Sequence, residues 1–341
     1  MATLFLKRKL WRGMARPKNF PPGPPPLPIL GNLLNLSLDN PMRDFERLRK
    51  CYGNVYSLFI GPKAAVVING VQVMKEAMIT KAADFAGRPQ DIFVSDLTRK
   101  GIVLADYGAT WKEHRRFALM TFRNFGLGKQ SMEQRILGEI QYTMETLEKS
   151  IGTTFSPQVM FHNAASNIIC QVLFGKRYEY DDNFIKLYDS VPMIRNLPLP
   201  FTKAFKNIET CKKLVTRLIT EHKETRVPGQ PQDFLDCYLD ELDKRGDDGF
   251  SFCEDRLIMF VLDLHFAGTD TTSNTLLTGF LYLMTYPLIQ ERCQQEIDQV
   301  LEKRDHASYD DRHNMPYMQV HYQTDLFIYL FLNRFDIHRS E

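Results

Sequence analysis

Between Ser251 and Pro287 the chain runs without a proline, and Ser251-Phe252-Cys253-Glu254 spells a capping box just ahead of an apolar stretch. A helix beginning at about Phe252 and ending before Pro287 would hold about 34 residues and measure roughly 50 Å, enough to cross a whole domain. Its first half carries Leu257, Ile258, Phe260, Val261, Leu262, Leu264 and Phe266, so a buried central helix is expected. Midway along it stands Ala267-Gly268-Thr269-Asp270-Thr271-Thr272, an acid and hydroxyls where a core would want Leu. Such a failure of local rules often marks a site. Gly268 would let a ligand approach the backbone, and a Thr hydroxyl can bond the carbonyl four residues back and open the helix locally. Asp270 and Thr271 would then hold a water in a proton relay. A Thr-rich patch facing solvent, with Asp270 as a surface charge, is the alternative these residues leave open.

Composition limits what surrounds that helix. With 43 Lys+Arg against 41 Asp+Glu, 44% apolar and 25% charged residues, the chain is neither disordered, collagen-like nor a pore-like membrane protein. A net charge of +2 does not favour nucleic acid. Residues 1–38, however, hold Lys7, Arg8, Lys9, Arg12, Arg16 and Lys18 and no acid, which suits contact with an anionic membrane surface or a solvated tail. The six cysteines show no CxxC pair and fit a reducing compartment better than a zinc ribbon or a disulfide scaffold. No stretch offers the about 20 apolar residues of a spanning helix.

The run Pro21-Pro22-Gly23-Pro24-Pro25-Pro26-Leu27-Pro28 predicts a stiff extended arm, a spacer between the basic end and the body or a ligand for an SH3-like groove. A helix over 40–50 precedes two alternating segments, 55–60 and 64–68, that flank Gly61-Pro62 and read as a hairpin. Further helices are predicted over 71–78, 110–121, 131–150, 161–174, 201–223, 233–244 and 287–303. The fold class is mainly α with a small β-sheet.

Several ordered motifs carry a resemblance. The segment from Pro21 through Leu30-Gly31-Asn32 resembles the proline hinge of microsomal cytochrome P450 enzymes. Phe85-Ala86-Gly87-Arg88-Pro89 resembles their family 2, as does Trp111-Lys112-Glu113-His114-Arg115-Arg116 with Arg123-Asn124-Phe125-Gly126. The hexapeptide from Ala267 to Thr272 is similar to the family's oxygen-activation motif. The wording of 31–41 and 125–129 is nearest the fatty-acid-oxidising branch. The resemblance implies a partial cytochrome P450 fold with haem as cofactor and electrons from NADPH through NADPH-cytochrome P450 reductase. It also implies an apolar substrate, such as a fatty acid or foreign compound, and a place on the cytoplasmic face of the endoplasmic reticulum membrane. Trp111 and Arg115, four apart on one helix face, would bond a haem propionate; without the family they read as packing and a surface ion pair. Asp270 and Thr271 would steer protons during oxygen activation, while Ala267 and Gly268 leave room above the haem. Phe93 to Val103 would belong to a substrate-facing loop, with Arg99 either a second propionate partner or solvated.

The resemblance also has a limit. The family holds its iron with a Cys thiolate in F-x-x-G-x-x-x-C-x-G, and thiolate donation promotes O–O cleavage. None of the six cysteines has that context; Cys293 stands in Glu291-Arg292-Cys293-Gln294-Gln295-Glu296, so no metal ligand is assigned. The E-x-x-R helix expected soon after Met315-Pro316-Tyr317-Met318-Gln319 gives way to other text, including the aggregation-prone run Leu326 to Leu332. The family's apolar anchor is not found in residues 1–10, and His265 is expected to be a bonded core residue rather than a substitute ligand. The chain thus divides into a basic segment 1–20, a proline hinge 21–31, a partial cytochrome P450 domain 32–319 and a divergent tail 320–341. Two functions are expected. One is an inherited haem-thiolate monooxygenase activity, catalytically incomplete in this chain. The other is a non-catalytic truncated form that binds membrane, reductase or full-length relatives, with Phe260 and Leu264 exposed by the loss of packing partners.

Overall fold

In the computed structural model, which describes residues 16, 18–37, 39–89, 100–125, 130–180, 182, 202–246, 251–302, 304 and 306–320, the proline run is extended but docked. It lies against strand β1 (Val55–Ile60). Ser57 N–H donates to Pro22 O (2.7 Å), Ser57 Oγ to Pro21 O (2.7 Å), and Arg16 reaches Ser57 Oγ (3.0 Å). Asn32, 1% exposed, closes the strap. Its Nδ2 donates to Pro24 O (3.2 Å) and Pro25 O (3.1 Å), and its Oδ1 accepts from Phe59 N–H (2.9 Å). Gly23 is needed because a Cβ there would lie 2.0 Å from Ser57 O. The spacer expectation is corrected for a physical reason: prolines lack donors, but the Pro22 carbonyl accepts the outward Ser57 N–H of an edge strand.

Strand β1 pairs antiparallel with β2 (Lys63–Ile68), in register from Val55↔Ile68 to Ile60↔Lys63, as the hairpin reading expected. Helix α1 (Pro41–Tyr52) is capped by Asn40 Oδ1, which accepts from Arg43 N–H (3.2 Å), and it packs Leu48 against Tyr56 and Leu58. The helix expected over 71–78 divides into α2 (Val71–Lys75), a π turn (Glu76–Thr80) and, further on, α3 (Ala82–Phe85). Only Ala77 is buried in the first two, so packing does not hold them in one regular helix. These elements belong to the first of two compact units, Met1–Gly87.

The second unit, Arg88–Glu341, contains α4 (Ala109–Asn124), α5 (Gln130–Lys149), α6 (Pro157–Leu173), α7 (Thr202–Thr225), α8 (Phe234–Arg245), α9 (Glu254–Thr285), α10 (Pro287–Leu301) and α11 (Pro316–Val320). Helix α9 is the long central helix, 32 residues without a break, and packs most extensively on α6. Its start differs from the expected one. Ser251 Oγ donates to the Glu113 carboxylate of α4, so no capping box forms, and the helix begins at Glu254 behind Cys253. Phe252 is thereby released into the core, its ring 4.8 Å from that of His114 and 4.9 Å from Tyr238. Leu173, Ile219, Phe234, Leu257 and Phe260 are sealed in the same cluster. Phe260 is therefore not exposed, contrary to expectation; the apolar side chains exposed along α9 and α10 are Leu276, Leu281, Met284 and Leu288. The described residues thus give a mainly helical fold with a small two-stranded sheet. No described helix is long and apolar enough to cross a membrane. The basic residues 1–15, the loop residues 93–99 with Arg99, and 321–341 with Leu326 to Leu332 lie outside the described residues.

Candidate functional site

At the middle of α9 the 100° step between residues sorts the polar motif onto different sides. Gly268 faces α6, where an added Cβ would lie 3.2 Å from Ile169 Cδ1. The close approach it permits is that of a packed side chain. His265, fully buried, shares this interface, with Nε2 3.3 Å from Ser166 Oγ and Nδ1 3.8 Å from Cys170 Sγ. Burial, with His162 nearby, pulls its pKa down to about 3, so the ring is neutral. It is the bonded core histidine expected from the sequence. Thr269 is also buried, and its Oγ1 has no hydrogen-bond partner.

The opposite side of the helix is open. Ala267 and Thr271 are exposed together, and Thr271 Oγ1 donates to Ala267 O (2.6 Å). This is the four-residue back-bond expected of a helical Thr, yet α9 stays unbroken, so the expected local opening does not occur. Asp270, half-buried, lies between the two sides; Asn274 Nδ2 donates to its backbone oxygen (2.6 Å) and to Oδ1 (3.1 Å).

Helix α4 positions the second group. Trp111 and Arg115 share one of its faces, the Arg115 guanidinium 5.4 Å from the indole centroid. Trp111 Nε1–H donates to Ile102 O (3.0 Å), and its ring packs against Tyr107 at 5.3 Å, tilted by 56°. The pair borders a depression of about 380 Å³ with Lys112, Arg116, Leu119, Met120 and Arg123. Four cations and no acid line it, which suits a carboxylate-bearing ligand with an apolar body.

One residue escaped the sequence reading. Asp263, 7% exposed on α9, accepts at Oδ2 from Ile102 N–H (2.7 Å) and Val103 N–H (2.8 Å). Burial pushes its pKa up to about 6, opposed by the two backbone bonds. The same Ile102 accepts from Trp111, so Asp263 joins the helix bearing the motif to the tryptophan of α4 through one peptide segment. An acid inside an apolar helical run is the signal that could have found it, because such a charge must be bonded.

The donor set can be tested against a haem. The cationic depression fits its carboxylates, and the open side at Ala267 and Thr271 leaves space for a flat ligand. The cysteines are all free; Cys170, Cys211, Cys253 and Cys293 are buried, Cys237 is half-buried and Cys51 exposed. Burial pushes the Cys211 thiol up to about 12 and Cys237 to about 11, and raises Cys170 and Cys293 as well. Burial disfavours the thiolate at these four positions.

The family model described as Cytochrome P450 matches residues 21–321. The chain belongs to the cytochrome P450 family. It is 39% identical over 338 residues to cytochrome P450 2J2 of Homo sapiens, covering 93% of this chain and 66% of that protein. It is 38% identical over 319 residues to cytochrome P450 2F2 of Rattus norvegicus, covering 87% of this chain and 65% of the relative. Cytochrome P450 2B4 of Oryctolagus cuniculus is 37% identical over 319 residues, with the same coverages. These relatives place the chain in family 2 of the cytochromes P450, and the chain spans about two thirds of their length.

Proposed function

We propose that these 341 residues carry the oxygen-facing half of a haem-thiolate monooxygenase site and are catalytically incomplete by themselves. The inherited reaction is oxidation of apolar small molecules, fatty acids or foreign compounds, with electrons from NADPH through NADPH-cytochrome P450 reductase. It would take place on the cytoplasmic face of the endoplasmic reticulum membrane, with the basic N-terminal segment resting on anionic lipid. Haem, when bound, supplies oxygen activation and electron storage. The observation that carries the reading is Thr271 on the open side of a buried central helix, its hydroxyl oriented by Ala267 O at 2.6 Å.

Each residue then has a distinct task. The Thr271 hydroxyl, with its proton on Ala267 O, keeps its lone pairs free to accept from a water and can pass a proton when it rotates. The Asp270 carboxylate, held by Asn274 Nδ2 (3.1 Å), would accept from a water in the same relay, and the small Ala267 side chain keeps that surface open. Gly268 acts through packing, bringing α6 close behind the motif. Arg115, with Lys112 and Arg116 in the same depression, would hold a propionate, and Trp111 would add its indole N–H if Ile102 O released it. Incompleteness rests on the cysteines: none of the six stands in the family's F-x-x-G-x-x-x-C-x-G context, and burial raises the thiols of Cys170, Cys211, Cys237 and Cys293. The exposed side chains of Leu281, Met284 and Leu288 favour the second reading, a form that acts by binding a partner or a full-length relative.

Titration with haem, followed by quenching of Trp111 fluorescence in a Trp11→Phe background, tests the placement. Saturable quenching is expected, with Arg115→Ala weakening uptake about tenfold through loss of a charge-assisted bond. Absence of quenching, or affinity indifferent to Arg115, would remove the assignment.

A further inference from the structure

Where α7 meets α8, far along the chain from the motif residues, His222, Asp233 and Asp236 converge. One ring nitrogen and one oxygen of each carboxylate lie within 4.8 Å of one another. They line a pocket of about 280 Å³ with Thr225, Gln230 and Gln232. His222 stands in the last turn of α7, and its Nδ1–H donates to Leu218 O (2.8 Å), which turns Nε2 toward Asp233 Oδ2 (2.8 Å). A backbone bond from the second ring nitrogen is what orients imidazole ligands at metal centres. Asp233 is the N-cap of α8: its Oδ1 accepts from Asp236 N–H (3.0 Å), leaving Oδ2 for the pocket.

Asp236 supplies the observation that points to a cation. It is 5% exposed; Oδ2 accepts from Gln232 N–H (3.0 Å), while Oδ1 is buried with no hydrogen-bond partner. A buried carboxylate oxygen without a donor is costly unless something positive meets it. Arg226 lines the same pocket and acts on Asp236 through its charge, but it donates Nη1 to Asp240 (2.7 Å) and Nη2 to Asp243 and gives Oδ1 no hydrogen bond.

We propose that His222 Nε2 and the carboxylates of Asp233 and Asp236 bind one zinc ion, clipping the end of α7 to the start of α8. One imidazole, two carboxylates and a water make a four-coordinate set that zinc accepts. Tetrahedral donors on bonds of about 2.0 Å stand roughly 3.3 Å apart, so the widest separation closes by at most about 1.5 Å through side-chain rotation. Asp233 and Asp236 balance the charge of the ion. Zinc takes the place of the proton shared by His222 Nε2 and Asp233 Oδ2, and that proton is released to solvent.

The test uses the full chain, stripped with chelator and titrated with zinc alone. Expected are one zinc per chain at micromolar concentration, proton release on binding, and an X-ray absorption first shell of nitrogen and oxygen that includes imidazole. Asp236→Asn should weaken binding at least tenfold, while Asp243→Asn, outside the ligand set, leaves it unchanged. Circular dichroism of the zinc-free variants checks that they fold. Should Asp236→Asn not fold, the shell of the unmodified chain decides. No uptake, a sulfur shell from the cysteines, or affinity unchanged in a folded Asp236→Asn chain would overturn the assignment.

Discussion

Asp263 ionises against its surroundings, and the consequence is a pH dependence with a definite sign. Its folded pKa is raised from 3.8 to about 6, so the folded chain keeps a proton that the unfolded chain has already lost. The contribution to stability is complete below about pH 4 and is lost as pH rises through 6, by roughly 3 kcal/mol. Asp263→Asn retains an oxygen for Ile102 and Val103 but cannot titrate. Urea midpoints across that window should therefore fall for the native chain relative to the variant, and parallel profiles would show that Asp263 is not the group. The polar hexapeptide stands out in sequence because an acid and hydroxyls interrupt an apolar helix, whereas Trp111 and Arg115 are singled out by the family resemblance alone. For Asp263 the one signal is an acid inside an apolar helical run; its partners, backbone N–H groups about 160 positions away, leave no trace in composition.

Helices α6 and α9 meet at a glycine where an added Cβ would press on Ile169 Cδ1 at 3.2 Å. Gly268→Val should cost about 1–3 kcal/mol by overpacking against Ile169, and Ile169→Ala in the same chain should recover part of it. Chemical denaturation of the four members of this cycle measures the coupling; strict additivity would place the two side chains apart. The proline strap makes a similar claim in the first unit. Asn32→Ala removes the Nδ2 bonds to Pro24 O, Pro25 O and Asn35 Oδ1 and the acceptor of Phe59 N–H, and should destabilise by about 2–4 kcal/mol with faster amide exchange at Phe59. Helices were readable from their apolar period, but some boundaries were not. The start of α9 shifted because Ser251 is taken by Glu113 of α4. The strap was hidden because a proline run advertises missing donors and says nothing of where its acceptors go.

The mainly helical fold with one hairpin was visible in sequence, because both patterns are local and repeated. Which long-helix residues end up sealed was less so: Phe260 lies in the core, while Leu281, Met284 and Leu288 face outward. Replacing Met284 and Leu288 with Lys should lower self-association in sedimentation or dye-binding measurements if these side chains form a sticky surface; no change would exclude it. The central claim, that these residues hold a haem's acid edge and oxygen side without a thiolate donor, is tested most directly by one spectrum. The purified chain is loaded with haem, reduced and exposed to carbon monoxide. Haem uptake without the red-shifted Soret band of thiolate ligation is the predicted result, whereas a thiolate-type Soret band would show that one of the six cysteines reaches the iron and would contradict it.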